Sequence, residues 1–332
     1  MHNYNSRLYE LVIFCTLITY FFCPPNPFLS TVDSWWLQSV NAQSNNLLEL
    51  NSISNRILFP FLIFLIKKIF FLQDTYNGLI HIVLIQVFLI LNIYVFAKYL
   101  LKTNYNNVLS ITIIFILAGY TTTNLRFPVY NDLLVTLLIL NSIFTKKYIN
   151  SSIYFFLACL AHEIVIFSFP FFLFLGVRKY KTNKRNFLIL SNILVSFFII
   201  FYFYIKISLK DIYDPQFDEL GSIFSSKANI INHILTESQF SIIGIFSAFK
   251  IIWVIFLLMI LKYFRKKTLI KNKKIILSLL LYLNFLILLT FLYSIDHTRH
   301  AYLLLFLPLT FVILIFFYIF KNKQIVLFCL IS

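Results

Sequence analysis

Residues 151–176 read SSIYFFLACLAHEIVIFSFPFFLFLG, an apolar run with the pair His162-Glu163 near its centre. About 20 mostly apolar residues suffice for a helix to cross a bilayer, so this run is long enough. Nine further apolar runs lie on either side of it, at 8–23, 56–72, 79–97, 107–122, 130–145, 186–206, 243–262, 275–293 and 300–320. The pattern predicts an all-α, polytopic integral membrane protein with about ten transmembrane helices in a single membrane domain, 1–332.

The composition supports the same class. Of the 332 residues, 60% are hydrophobic and only 12% are charged, whereas a soluble protein carries about 25% charged residues. The four cysteines show no paired spacing that would indicate a disulfide framework or a metal site. These features exclude a soluble enzyme, a nucleic-acid-binding domain and a disulfide scaffold.

The central run is compatible with two arrangements. It is either one long span, or two half-helices that dip into the membrane and return, which is tolerated where the turn faces a protein-lined cavity. In the second arrangement Lys146 and Lys147 lie in the cytoplasm with the basic loop 177–185, and His162-Glu163 point toward the external side. A compensating break is then needed before Lys98.

The charge pattern orients the chain. The excess of 28 Lys and Arg over 12 Asp and Glu falls mostly in short loops, and basic loops stay in the cytoplasm. This rule places 177–185, 262–274 and 321–323 inside. It places the turn at 294–299 and the larger loop 207–242 outside. Counting back through ten spans places the other larger loop, 24–55, outside as well.

Ionisable side chains at membrane depth cost about 2.5–3.5 kcal/mol each on insertion scales, so each needs a reason. The densest group is Asp296-His297-Thr298-Arg299-His300 at the predicted external face. The fork of an arginine suits a phosphate, which makes Arg299 the first candidate for an anion site. The structural alternative is a helix cap by Asp296 with an Asp–Arg ion pair.

The other candidates are spread along the chain. Glu163, next to His162, is a candidate base, cation ligand, arginine partner or half of a proton relay. Asp33 is a candidate base for an acceptor hydroxyl or a helix cap, and Arg56 either holds a phosphate or snorkels to headgroups. A similar polar break contains Arg126 and Asp132. His81 is predicted to be a packed contact between helices.

The order of these motifs resembles the GT-C superfamily of multi-spanning glycosyltransferases, which use polyprenyl-phosphate sugars. The resemblance rests on Asp33 in the first external loop, Arg56-Ile57-Leu58-Phe59-Pro60, His162-Glu163 with Pro170, and Asp296-His297-Thr298-Arg299 with Pro308. It implies that Asp33 is the catalytic base and that basic residues hold the lipid phosphate. Two departures are Glu49 as the second acid of that loop and His-Glu where the family has Arg-Glu.

The resemblance also implies the partners: a lipid-linked sugar donor, a glycan or lipid acceptor, and membrane lipids, with no nucleic acid. The bacterial cytoplasmic membrane is the expected location. The resemblance assigns no cofactor. A divalent cation is the one cofactor that stays open as an alternative. The substrate-binding residues are expected to be Arg56, Arg126, Asp132, His162, Glu163, Asp296, His297, Arg299 and His300.

Two other classes of protein fit parts of the pattern. Exopolysaccharide or O-antigen polymerases also have about ten spans, external basic residues and a histidine in a central apolar span, which Arg126, His162 and Arg299 match. A transporter or flippase is the third class. The absence of an internal repeat and the five glycines in the chain argue against it.

Overall fold

The computed structural model describes residues 2–22, 57–73, 76–102 and 132–208, with short pieces at 42, 44–46, 243–245, 248, 253, 281–287, 303, 305 and 306. Helices dominate these residues and no strand occurs among them, which confirms the all-α class. The chain divides into two compact units, Met1–Phe96 with Thr121–Asp218, and Ala97–Tyr120 with Glu219–Ser332. The contacts described below lie within the first unit.

Seven α-helices lie in the main described ranges: α1 His2–Phe22, α2 Leu58–Phe70, α3 Asn77–Lys102, α4 Asp132–Phe144, α5 Tyr148–Ala161, α6 Phe169–Lys179 and α7 Lys184–Ser208. Two 3₁₀-helices, Glu163–Ser168 and Lys181–Asn183, directly precede α6 and α7. The predicted runs 8–23, 56–72, 79–97, 130–145 and 186–206 each correspond to one α-helix. The run at 107–122 lies outside the described residues, as do most residues of the runs at 243–262, 275–293 and 300–320.

Two stretches in the described part of the chain are long and apolar enough to cross a membrane: Asn77–Lys102 and Lys181–Ile205. By contrast, α2 has 13 residues, about 20 Å at 1.5 Å per residue, against a hydrocarbon core of about 30 Å. Helix α2 ends where Phe71 adopts a left-handed conformation with φ 54°. The ten-span topology therefore stays a prediction.

The run 151–176 is not one continuous helix. Helix α5 ends at Ala161, and His162 is extended, with φ −158° and ψ 121°. The 3₁₀-helix Glu163–Ser168 follows, and α6 begins with Pro170 in its first turn. Proline is tolerated there because the first-turn N–H has no partner within the helix, whereas further inside it would break the helix.

After this break the chain turns back on itself. The Phe155 ring of α5 stacks on the Phe172 ring of α6 with centroids 4.2 Å apart. At the end of α6, Lys179 Nζ donates to the carbonyls of Ile143 and Thr145, and Tyr180 Oη donates to the Thr145 carbonyl over 2.8 Å. Thus α5 and α6 are antiparallel and form a helical hairpin, residues 148–179, whose two ends meet beside the α4–α5 turn.

Helix α7 packs along the hairpin and runs parallel to α5. The hydroxyls of Ser152 and Ser191 are 2.8 Å apart, and the Phe156 and Phe197 rings are 6.2 Å apart. Helix α6 approaches α7 so closely that a Cβ added to Gly176 would lie 2.0 Å from Phe187 Cζ. Only glycine fits at position 176 without displacing that buried ring.

Helices α3 and α4 run in the same direction. Asn92 of α3 contacts Leu133 and Thr136 near the start of α4, and the Phe96 ring lies 6.3 Å from that of Phe144 at its end. The two helices share a direction because Asn92 contacts the early residues of α4, while Phe96, one turn later in α3, contacts Phe144 at the end of α4.

Helix α2 is antiparallel to α3. Asn45 accepts from Lys67, in the last turn of α2, and from Asn77, the first residue of α3. Phe59, near the start of α2, packs edge-on against the buried His81 ring with centroids 5.0 Å apart. The prediction that His81 is a packed contact between helices is confirmed.

Candidate functional site at the hairpin tip

The hairpin tip, defined as His162, Glu163 and Ile164, places a histidine and a carboxylate at the break between α5 and the 3₁₀-helix. The His162 side chain is 0% exposed and that of Glu163 is 13% exposed. His162 Nδ1 lies 3.4 Å from Glu163 Oε2. The same Nδ1 accepts from the Ile164 backbone N–H, also over 3.4 Å, and so caps the 3₁₀-helix.

The local backbone explains why the ring can reach this N–H. A residue that precedes a helix in an extended conformation directs its side chain toward the unsatisfied N–H groups of the first turn. His162 has this conformation and accepts in the role usually taken by Ser, Thr, Asp or Asn. The sequence pair His-Glu is therefore also the local signal that ends one helix and starts the next.

Asp132 belongs to the same end of the first unit. It is the first residue of α4 and is fully buried. Helices α4 and α5 pack together, have 13 and 14 residues and are joined by the three residues 145–147. Their far ends are therefore at about the same level, which brings Asp132 to the level of the hairpin tip.

The opposite end of this bundle is basic. Lys146 and Lys147 in the α4–α5 turn are exposed, as are Arg178 and Lys179 at the end of α6. Acidic and imidazole groups are thus separated from the basic groups by the length of α5.

The tip contains one imidazole and one carboxylate within 3.4 Å of each other, with a second, buried carboxylate at the same level. Groups of this kind transfer protons and accept hydrogen bonds from hydroxyls. Within the described ranges, no group of three or more His, Cys, Asp or Glu side chains is arranged to hold a metal ion. A divalent cation is therefore not assigned to these residues.

Of the predicted site residues, the structure places three at one end of the bundle: Asp132, His162 and Glu163. The other seven lie outside the described residues, and their grouping with the tip stays a prediction. They are Asp33, Arg56, Arg126, Asp296, His297, Arg299 and His300.

The sequence reasoning missed one polar cluster. Lys67 is buried, donates to Asn45 and lies near the buried Asn77, which also donates to Ser44 over 3.5 Å. The pair Lys67-Lys68 inside the apolar run 56–72 was the available signal. A lysine so placed needs a polar partner, but the sequence does not reveal that residues 44 and 45 supply it.

No known family model matches this sequence, and comparison with curated proteins and with solved structures finds no significant match.

Proposed function

We propose that this protein is a multi-pass membrane glycosyltransferase. It transfers a sugar from a polyprenyl-phosphate-linked donor to a glycan or lipid acceptor at the outer face of a bacterial cytoplasmic membrane. The observation that carries the proposal is the hairpin tip. An apolar helix that spans a bilayer normally carries no ionisable group, whereas here a break places His162 and Glu163 together, level with Asp132 at the start of α4.

The hairpin supports a membrane topology that agrees with the basic residues. If residues 148–179 enter and leave on the cytoplasmic side, Lys146 and Lys147 share that side with the basic residues of the segment 177–185. Helices α3 and α4 then both run toward the cytoplasm. This direction places Lys98 and Lys102 on the cytoplasmic side, whereas simple alternation of ten spans places them outside. Helix α2, at 13 residues, is the candidate for the compensating break.

In this proposal the substrate contacts are divided among separate parts of the chain. The tip and Asp132 approach the outer half of the membrane and bind sugar hydroxyls. Asp33 deprotonates the acceptor hydroxyl. Arg299 holds the lipid phosphate, because one charge pair 4 Å apart contributes about 4 kcal/mol at an effective dielectric of 20.

The test is the analysis of lipid-linked sugars in a deletion strain. We expect loss of a polysaccharide or glycolipid product and accumulation of its lipid-linked precursor. An unchanged lipid-linked pool with intact glycans would contradict the proposal. Plasmid-borne Asp33→Asn should fail to restore the product, whereas a repeat-unit polymerase should tolerate this change better than Arg299→Ala or His162→Ala.

The broken central helix favours a second candidate, a transporter. Discontinuous helices that meet within the bilayer commonly form the substrate and ion sites of transporters, and α5 and α6 have this form. A transporter would show uptake or efflux that depends on an ion gradient in reconstituted vesicles. Abolition of this flux by His162→Ala, with lipid-linked sugars unchanged in the deletion strain, would favour this candidate over the glycosyltransferase.

A further inference from the structure

One atom at the hairpin tip has two neighbours that require opposite protonation states. His162 Nδ1 is 3.4 Å from the Ile164 backbone nitrogen, which is a donor, and 3.4 Å from Glu163 Oε2, which is an acceptor when ionised. A neutral imidazole nitrogen without hydrogen accepts, and a nitrogen with hydrogen donates. The two contacts are therefore alternatives for a single ring position.

We infer that Nδ1 of His162 is a proton-binding site whose occupancy switches the hairpin tip between two hydrogen-bonded states. Without a proton, Nδ1 accepts from the Ile164 N–H and caps the 3₁₀-helix. When a proton binds, the nitrogen's lone pair is used, the ring becomes positively charged, and Nδ1–H donates to the Glu163 carboxylate. No covalent bond between heavy atoms changes, and solvent supplies and receives the proton.

The effect of the switch is local to one backbone group. Val165 N–H bonds to the His162 carbonyl over 3.2 Å, so its bond does not involve the imidazole. The Ile164 N–H is a first-turn donor, which lacks a partner within its own helix. Proton binding therefore releases the Ile164 N–H specifically and loosens the start of the 3₁₀-helix while α5 remains intact.

Charged groups on the surrounding helices affect how readily His162 binds a proton. Glu163 is in direct contact, and the buried Asp132 of α4 lies at the same level. The basic residues of the α4–α5 turn and of α6 and α7 lie at the other end of the hairpin, at Lys146, Lys147, Arg178, Lys179, Lys184 and Arg185. Helix α2, which packs against α5, carries Lys67 and Lys68 in its last turn.

The inference does not depend on the proposed function, because its readout is backbone protection rather than turnover. Hydrogen–deuterium exchange of the full-length protein in detergent is measured at single-residue resolution for Ile164. The measurements run from about pH 5 to about pH 8, where histidine titrates, and each is corrected for the intrinsic exchange rate. We expect protection to fall about fivefold toward low pH, which corresponds to the loss of one ordinary hydrogen bond.

The decisive variant is His162→Asn. An asparagine oxygen at the position of Nδ1 still accepts from the Ile164 N–H but does not bind a proton in this range, so protection should be constant with pH. The matched control is His81→Asn, which removes another buried histidine of the same unit. This control should keep the pH-dependent loss of the wild type.

Either of two results would overturn the inference. If the wild-type protein shows no pH dependence at Ile164, the two contacts do not exchange by proton binding, and this holds even if the variants fail to fold. If folded His162→Asn keeps the same fall in protection, a different group titrates. A change of neutral tautomer binds no net proton, so it also predicts a flat wild-type profile.

Discussion

Two buried polar groups of the first unit contrast with each other. Asn92, between α3 and α4, donates to the Phe88 and Leu133 carbonyls over 2.7 Å each and accepts from Thr136 over 3.1 Å. His162, at the hairpin tip, has a donor and a carboxylate at the same 3.4 Å from one nitrogen. The first group has both amide hydrogens used and one geometry, while the second has two competing geometries.

This difference in hydrogen-bond partners distinguishes a structural polar group from a functional one. A neutral amide with every hydrogen satisfied fixes the packing of two helices and has no second state to adopt. A titratable ring between opposite partners, at a helix break and level with a buried carboxylate, has such a state. Apolar surroundings alone therefore do not identify a functional group, and the arrangement of its hydrogen-bond partners does.

The largest expected effect is on the Asn92 contact. Asn92→Asp replaces two donated hydrogens by a charged oxygen that faces the Phe88 and Leu133 carbonyls. We expect a loss of about 3–5 kcal/mol in the free energy of unfolding, the usual result of an uncompensated buried charge. Denaturant titration in detergent measures it.

The control for this change is Asn150→Asp in the first turn of α5. Asn150 is exposed and lies next to the basic α4–α5 turn, outside the predicted apolar span. We expect less than about 1 kcal/mol there, because the charge stays solvated. Equal losses at both positions would show that burial between α3 and α4 is not the cause.

An intermediate effect on stability is expected where α6 packs against α7. Gly176→Ala would place a Cβ 2.0 Å from the Phe187 ring, and overpacking of this kind costs about 1–3 kcal/mol. Phe187→Leu in the same chain should recover part of this loss, so the double variant should be more stable than the sum of the single effects predicts. Thermal unfolding of the four proteins tests this cycle, and simple additivity would show that the close approach of α6 and α7 is not what limits position 176.

The smallest effect on stability is expected at the tip. Glu163→Gln keeps the shape of the side chain and removes its charge, which relieves a desolvation cost while weakening the contact with His162. We expect a change of less than about 1 kcal/mol in the free energy of unfolding, together with loss of most activity in the product assay. A loss of stability like that of Asn92→Asp, with activity retained in the folded fraction, would make Glu163 a structural residue.

Some of this could be predicted from the sequence. Apolar runs of about 20 residues predicted the helical class, because a single segment in hydrocarbon can satisfy all of its own backbone groups only as a helix. The interruption at His162-Glu163 was visible as two ionisable residues in such a run. The same pattern did not choose between one long span and a return, since both have the same composition.

Side-chain contacts decided between the two arrangements. The stacking of Phe155 on Phe172 and the bonds from Lys179 and Tyr180 to the α4–α5 turn require α6 to run back along α5. The residues of each pair are far apart in sequence, so the hydrophobic periodicity of a single helix does not predict their contact. Such contacts depend on how the helices pack against each other. For the same reason Asn45 was not foreseen as the partner of Lys67.

The sequence by itself determined the helical class of the described residues, the clustering of most basic residues between apolar runs and the adjacency of His162 and Glu163. Hydrophobicity and charge act residue by residue, so a linear pattern is enough to read them. Only the tertiary structure decided that α5 and α6 form a hairpin, that Asp132 lies level with its tip and that one nitrogen of His162 faces two incompatible partners. These are matters of distance and direction, which the packing of α4, α5, α6 and α7 sets together.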